Sequence, residues 1–243
     1  MFSWFSGQSA AAPQTPPIQE DWPKVRILVV GDSGVGKTSL IERLVTGKIP
    51  STPRWTLGCN ISVMTHTLVE QTERKVLIEF WDVGGHRNYA DSRAVFYHQI
   101  NGVMLVHDST NMKSFQHLKA WLDELEREDG RRKSNRLTGI EEPRYGTMGK
   151  RELPQEGTFR KANPPVQHQR RSSGINLGPL DGLPILVVGN KCDSGKHQVA
   201  PPTLWSFDSV FTSALAPTRD GKPFEHERFV KFYQKVFERR YGY

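Results

Sequence analysis

The chain has 243 residues, a size that suits one α/β domain with additions, and its 36% hydrophobic content still permits a sizeable core. No apolar run approaches the ~20 residues of a membrane-spanning helix. The opening Met-Phe-Ser-Trp-Phe-Ser-Gly lacks the pattern of a secretory signal. The net charge is +7, of which residues 127–182 carry +5; this local excess is weak support for a polyanionic partner, and nucleic acid is not the partner expected. Cys59 and Cys192 each lie inside a motif treated below, so a structural disulfide is not expected and a reducing compartment fits.

In chain order, residues 1–22 hold Ala-Ala-Ala-Pro and Thr-Pro-Pro and are expected to form a flexible tail, with Phe2, Trp4 and Phe5 as an apolar cluster at its tip. Phenylalanine second in the chain excludes N-myristoylation. One domain is expected over 23–243. Val25–Val30 reads as a buried strand and Lys37–Thr46 as a helix. A loop with two prolines and two glycines follows, from Gly47 to Gly58. Asn60–Leu68 and Lys75–Phe80 read as a hairpin, Ala90–Gln99 as a helix, and Gly102–Asp108 as a buried strand. Ser114–Glu126 is amphipathic, with Phe115, Leu118, Trp121, Leu122 and Leu125 at helical spacing. Residues 127–182 contain eight glycines and five prolines without sustained periodicity, so a long basic insert, disordered or functional, is expected there. Order resumes at the strand Leu183–Gly189, then Ser209–Thr212, and ends in an amphipathic helix over Phe224–Tyr241. This alternation predicts an α/β fold: three layers around a mostly parallel sheet, with ligands at the carboxyl ends of the strands.

The motifs all follow strands. Gly31, Asp32, Ser33, Gly34, Val35, Gly36, Lys37 and Thr38 fit the phosphate-binding pattern Gly, four residues, Gly-Lys-Thr, between a strand and a helix that continues at Ser39. The glycines let successive N–H groups turn inward as an anion nest at the helix's positive end, Lys37 can reach the β- and γ-phosphates, and the Thr38 hydroxyl can ligate Mg²⁺. Asn190-Lys-Cys-Asp193 separates a GTPase from an ATPase or kinase. A carboxylate at Asp193 can accept from both N1–H and the exocyclic amine of guanine, a donor pair adenine lacks. Asn190 can tie this motif to the phosphate-binding loop, the Lys191 stem can lie over the base, and backbone N–H groups at Ser213 and Ala214 can meet the guanine carbonyl. In Asp82-Val-Gly-Gly85, Asp82 is placed to hold Mg²⁺ through water and the Gly85 N–H to meet the γ-phosphate. Thr56 is the candidate second hydroxyl ligand of the metal.

With these motifs in this order, residues 24–126 and 183–241 resemble the Ras superfamily of small GTPases, and its Rab-like branch most. The resemblance implies a P-loop small GTPase fold, GTP/GDP and Mg²⁺ as bound groups, hydrolysis of GTP, effector proteins that read the GTP state, and regulators that activate hydrolysis or exchange. It permits a homodimer and a cytoplasmic or nuclear location. The end Glu-Arg-Arg-Tyr-Gly-Tyr243 has no cysteine for a prenyl anchor. His86 stands where most members carry the glutamine that orients water, which makes Lys37, Thr56, Gly85 and His86 the expected catalytic set. Ile49 stands where an aromatic ring usually covers the guanine. The rival reading is a non-hydrolysing nucleotide-bound scaffold whose basic insert binds a partner.

Overall fold

The structure is a computed structural model that describes residues 22–50, 52, 54–68, 74–138, 180, 182–194, 207–217 and 225–242. Its frame is a six-stranded sheet: β1 (Lys24–Val30), β2 (Cys59–Leu68), β3 (Arg74–Val83), β4 (Gly102–Asp108), β5 (Ile185–Asn190) and β6 (Asp208–Phe211), in the spatial order β2-β3-β1-β4-β5-β6. Only β2 runs antiparallel, against β3; every other pair is parallel. Alternation along β1 feeds two cores. Val25, Ile27 and Val29 meet Leu40, Ile41 and Leu44 of α1 (Lys37–Thr46) and Phe229, Phe232, Tyr233, Val236 and Phe237 of α5 (His226–Tyr241). Leu28 and Val30 face Phe115, Leu118, Trp121, Leu122 and Leu125 on the opposite side. The expected three-layer α/β architecture is therefore present, and the carboxyl ends of β1, β3, β5 and β6 lead directly into the four motif loops. No described helix is long and apolar enough to cross a membrane.

Two helices differ from the sequence reading. The stretch expected as one helix over Ala90–Gln99 is a 3₁₀ turn (Arg87–Tyr89), a four-residue α2 (Ala90–Arg93) and a second 3₁₀ turn (Ala94–Phe96). Val95, Phe96 and Tyr97 are poor helix formers, and the buried pair Ala94 and Tyr97 has the spacing of three that a 3₁₀ turn puts on one side.

The helix expected to end at Glu126 behaves in the opposite way. A short α3 (Met112–Gln116), capped by the Asn111 side chain accepting from Lys113 N–H at 3.0 Å, passes through His117 into α4 (Leu118–Thr138). Thus residues 127–138, assigned to the insert, continue the helix. Arg127, Glu128, Arg131, Arg132 and Lys133 favour helix by intrinsic propensity but carry no apolar stripe to reveal it. Leu180 at the other end of that segment is buried in the second core. Residues 139–179 and 181 of the insert and residues 1–21 of the tail lie outside the described residues.

Candidate functional site

The loop from Gly31 to Lys37 leaves β1 and turns into the start of α1. Gly36 caps that helix at φ +90°, where a Cβ would sit 2.5 Å from the Asn190 side-chain nitrogen, so both backbone conformation and space require glycine. Asn190, at the end of β5, fills the space. Its Nδ2 donates to Val35 O at 3.0 Å and Gly36 O at 3.3 Å, and its Oδ1 accepts from Ala214 N–H at 3.2 Å. One buried amide thus ties phosphate loop, Asn-Lys-Cys-Asp motif and the loop after β6 together. Val35 itself is buried in the first core, so its contribution to the loop is backbone.

Lys191, at φ +66°, crosses to the same loop: its Nζ donates to Gly34 O and to Asp108 Oδ2, each at 2.8 Å. Asp193 Oδ1 accepts from Ser213 Oγ at 2.5 Å, while that oxygen accepts from Leu215 N–H and Ala216 N–H. The carboxylate expected to read the base is therefore aimed by a serine whose own lone pairs are already engaged. Both cysteines are free, as expected.

Lys37 is buried, and its Nζ donates to Gly31 O at 2.8 Å and Asp32 O at 3.1 Å. Burial pushes this ammonium down to about 8, against the pull of Asp82 and Asp32 and with Arg93 adding to the shift. Beside it, Thr38 Oγ1 donates to Asp82 Oδ2, the Thr38 and Thr56 hydroxyls lie 2.8 Å apart, and Thr56 Oγ1 reaches Asp82 Oδ2 at 3.1 Å. Three oxygens make three contacts with two hydroxyl protons between them, and Asp82 Oδ1 is buried without a partner. Burial raises the Asp82 pKa, with both threonine hydroxyls and Lys37 opposing. An all-oxygen set with one carboxylate and an unsatisfied lone pair fits a hard divalent cation such as Mg²⁺.

Gly85 closes the site from the β3 side. A Cβ there would stand 2.3 Å from Gly31 O and 2.6 Å from Ser33 N, so the backbone touches the phosphate loop only as glycine. Exposed His86 follows, its ring nitrogen Nδ1 accepting from Asn88 N–H at 3.3 Å. That fixes the Nε2–H tautomer and leaves the ring a donor. A cleft of about 530 Å³ runs between these parts, lined by Ser33, Gly34, Gly36, Lys37, Thr38, Ser39, Thr56, Gly85 and His86, with Arg54, Trp55, Leu57 and Tyr89 on its outer wall. The Trp55 ring is 84% exposed, and Ile49 is 46% exposed.

Four site neighbours escaped the sequence reading. Asp32 Oδ2 accepts from His117 Nδ1 at 2.5 Å and Oδ1 from Trp121 Nε1 at 3.1 Å. Arg93, over the Trp121 ring at 3.9 Å, forms a two-pronged pair with Glu124 at 2.7 and 2.5 Å. Trp121 was legible only as a core position. A histidine, an aromatic and a glutamate on successive helical turns give no pattern that points across the fold.

Comparison with known proteins agrees with this geometry. A family model described as Ras of Complex, Roc, domain of DAPkinase matches residues 26–137. Rab-like protein 3 of Bos taurus is 47% identical over 112 residues, covering 43% of this chain and 48% of that protein; the Homo sapiens protein of that name is 46% identical over the same shares. Small GTPase LIP1 of Arabidopsis thaliana is 40% identical over 112 residues, 42% of this chain and 33% of that protein. The chain thus spans about half the length, or less, of the curated relatives it matches. The family match ends before β5, so the guanine motif stands on its own geometry. Over residues 26–137 the chain is similar to a Roc/Ras-like GTPase domain, to Rab-like protein 3 and to Small GTPase LIP1.

Proposed function

We propose that this protein is a guanine-nucleotide switch that binds GTP with Mg²⁺ and hydrolyses it slowly to GDP. The observation that carries the reading is the convergence of Thr38, Thr56 and the half-satisfied Asp82 beside buried Lys37. A protein that held nucleotide as a static brace would need no such set. Lys37 gives up its two backbone carbonyls to meet the β- and γ-oxygens, which favour its charged form. The loop N–H groups around Gly34 and Gly36 hold the same phosphates. Mg²⁺, when bound, supplies neutralisation of the charge that develops on the leaving phosphate. Thr38, Thr56 and Asp82 would hold it, Asp82 through water. Gly85 N–H meets the γ-phosphate, and the His86 Nε2–H orients the attacking water by donating to it. With Nδ1 engaged by Asn88, His86 directs that water without deprotonating it, which suits a slow hydrolase. Asp193 selects guanine. The reading extends to effectors that recognise the ordered Thr56 and Gly85 segments, to activating and exchange factors, and to a cytoplasmic or nuclear protein that can form a homodimer.

The test is direct. The purified full chain is incubated with GTP and Mg²⁺, and GDP is measured in single-turnover conditions with ATP as competitor. GDP formation that ATP does not inhibit is expected. His86→Ala should slow hydrolysis about 10-fold or more while GTP affinity changes little. Bound GTP that stays intact in the wild type would replace this reading with the scaffold.

A further inference from the structure

The phosphate-binding loop carries a carboxylate of its own. Asp32 lies between Gly31 and Ser33, and its backbone carbon is 2.6 Å from where a Cβ of Gly85 would stand. Its side chain thus arises next to the residue assigned to the γ-phosphate. A carboxylate free in that place opposes phosphate binding, because like charges a few ångström apart in a partly desolvated site repel strongly.

The side chain is taken instead by the start of α4. His117 and Trp121 are one helical turn apart, so their ring donors lie on one face and reach the two oxygens of a single carboxylate. His117 has a second contact, to the segment after Gly85: Arg87 Nη2 is 3.2 Å from His117 Nε2. The same nitrogen is 3.5 Å from Nδ1, so the guanidinium lies over the face of the ring, while Nδ1–H in the ring plane donates to Asp32. Trp121 is braced from the same segment. The Arg93 guanidinium over its ring also donates to His86 O at 3.3 Å and is held by Glu124, which accepts in addition from Tyr97 Oη at 2.7 Å.

We propose that Arg87, His117 and Asp32, braced by Trp121, form a positioning relay that draws the loop carboxylate off the phosphate site when residues 85–97 dock on α4. The relay thereby favours the triphosphate over the diphosphate. It rests on the guanine-nucleotide reading above. The γ-phosphate adds charge beside Gly85, so a released Asp32 penalises GTP more than GDP. Docking of Arg87 over the His117 ring holds that ring where its Nδ1–H meets Asp32; undocking frees the ring and lets the carboxylate swing back. His117 is a positioning residue in this scheme, since it acts through Asp32 and touches no nucleotide.

The test is competition of GTP and GDP against a fluorescent GDP analogue, with Mg²⁺ in excess, on the full chain. His117→Ala should lower the GTP-to-GDP affinity ratio about 3- to 10-fold. His117→Gln should restore it, because its planar amide can donate to Asp32 from the same place beneath Arg87. In an Asp32→Asn background, His117→Ala should leave the ratio where Asp32→Asn alone puts it. Thermal melts identify any variant that does not fold. Should His117→Ala be one, Trp121→Phe, which removes the second donor and keeps a ring under Arg93, must lower the ratio. An unchanged ratio in a protein that binds GTP overturns the relay and leaves the switch standing. An equal loss with Asn at position 32 overturns it too, since His117 would then act on the fold. A wild type that binds neither nucleotide overturns both.

Discussion

Asp193 shows how one hydrogen bond can decide what a side chain offers a ligand. Its Oδ1 takes the Ser213 hydroxyl proton, because that hydroxyl's lone pairs already accept from Leu215 and Ala216. In Asp193→Asn the carbonyl oxygen must occupy the same place, which turns the amide NH₂ toward the base. The amide oxygen can still accept from N1–H as well as from Ser213, while a donor now stands where the exocyclic amine was read and meets the 2-oxo group of xanthine, so preference should move from guanine to xanthine nucleotides; GTP out-competing XTP as before would remove the assignment. Lys37 makes a second case, with pH as the probe. Its ordinary value is 10.5 and burial holds it at about 8 in the folded chain. Between those values the unfolded chain binds a proton that the folded chain does not, so stability rises with pH through this window and the cost of burying the charge is greatest below it. The nucleotide-free wild type should therefore gain in urea midpoint relative to Lys37→Met from pH 7.5 to pH 9.5. Bound GTP should abolish the gain, because phosphate restores the charge. A constant difference between the two proteins would mean Lys37 stays fully protonated throughout.

The secondary elements separate what the chain reveals locally from what it hides. Strand ends and motif loops were legible because covalent spacing fixes them: a buried run followed by Gly31–Thr38 or by Asn190–Asp193 can only present those residues at one end of a parallel sheet. The side chains that hold Asp32 and Arg93 were not legible, since His117 and Trp121 are 85 and 89 residues from Asp32, and Glu124 is 31 from Arg93. The segment 90–97 misled because its residues were read for a period of 3.6, while packing of Ala94 and Tyr97 follows a period of three. The end of α4 was missed because polar residues can be helical without any apolar stripe to mark them. Gly130 tests that extension. It lies within α4, and a Cβ there would meet nothing within 4 Å. Gly130→Ala should then stabilise the protein by about 0.5–1 kcal/mol, because alanine loses less backbone entropy in a helix. Thermal unfolding reads this as a small rise in midpoint. A fall would show that residues 127–138 are not helical in solution.

At the scale of the whole molecule, the sheet divides the protein into a chemical pole and an attachment pole. The carboxyl ends of the parallel strands carry every motif, and α4 begins at that pole, where Trp121 meets Asp32. The 21 residues of α4 then run about 30 Å away from it. The chain re-enters the fold at Leu180, buried in the second core just ahead of β5, whose first residue Ile185 lies at the opposite pole from Asn190. Both points where 139–179 join the domain are thus remote from Gly31–Thr38. Deleting residues 139–170 leaves nine residues between Thr138 and Leu180, which can span about 30 Å when extended. Shortening a loop of this length changes its closure entropy by only about 1 kcal/mol. The deletion variant should therefore fold, bind GTP and GDP within about 3-fold of the full chain, and hydrolyse GTP at a similar single-turnover rate. If the segment's basic residues bind a polyanion, that binding should weaken steeply with added salt in the full chain and be reduced in the deletion, while nucleotide affinity stays the same in both. A loss of more than 10-fold in GTP affinity on deletion would mean that these residues reach the nucleotide pole and complete the site there.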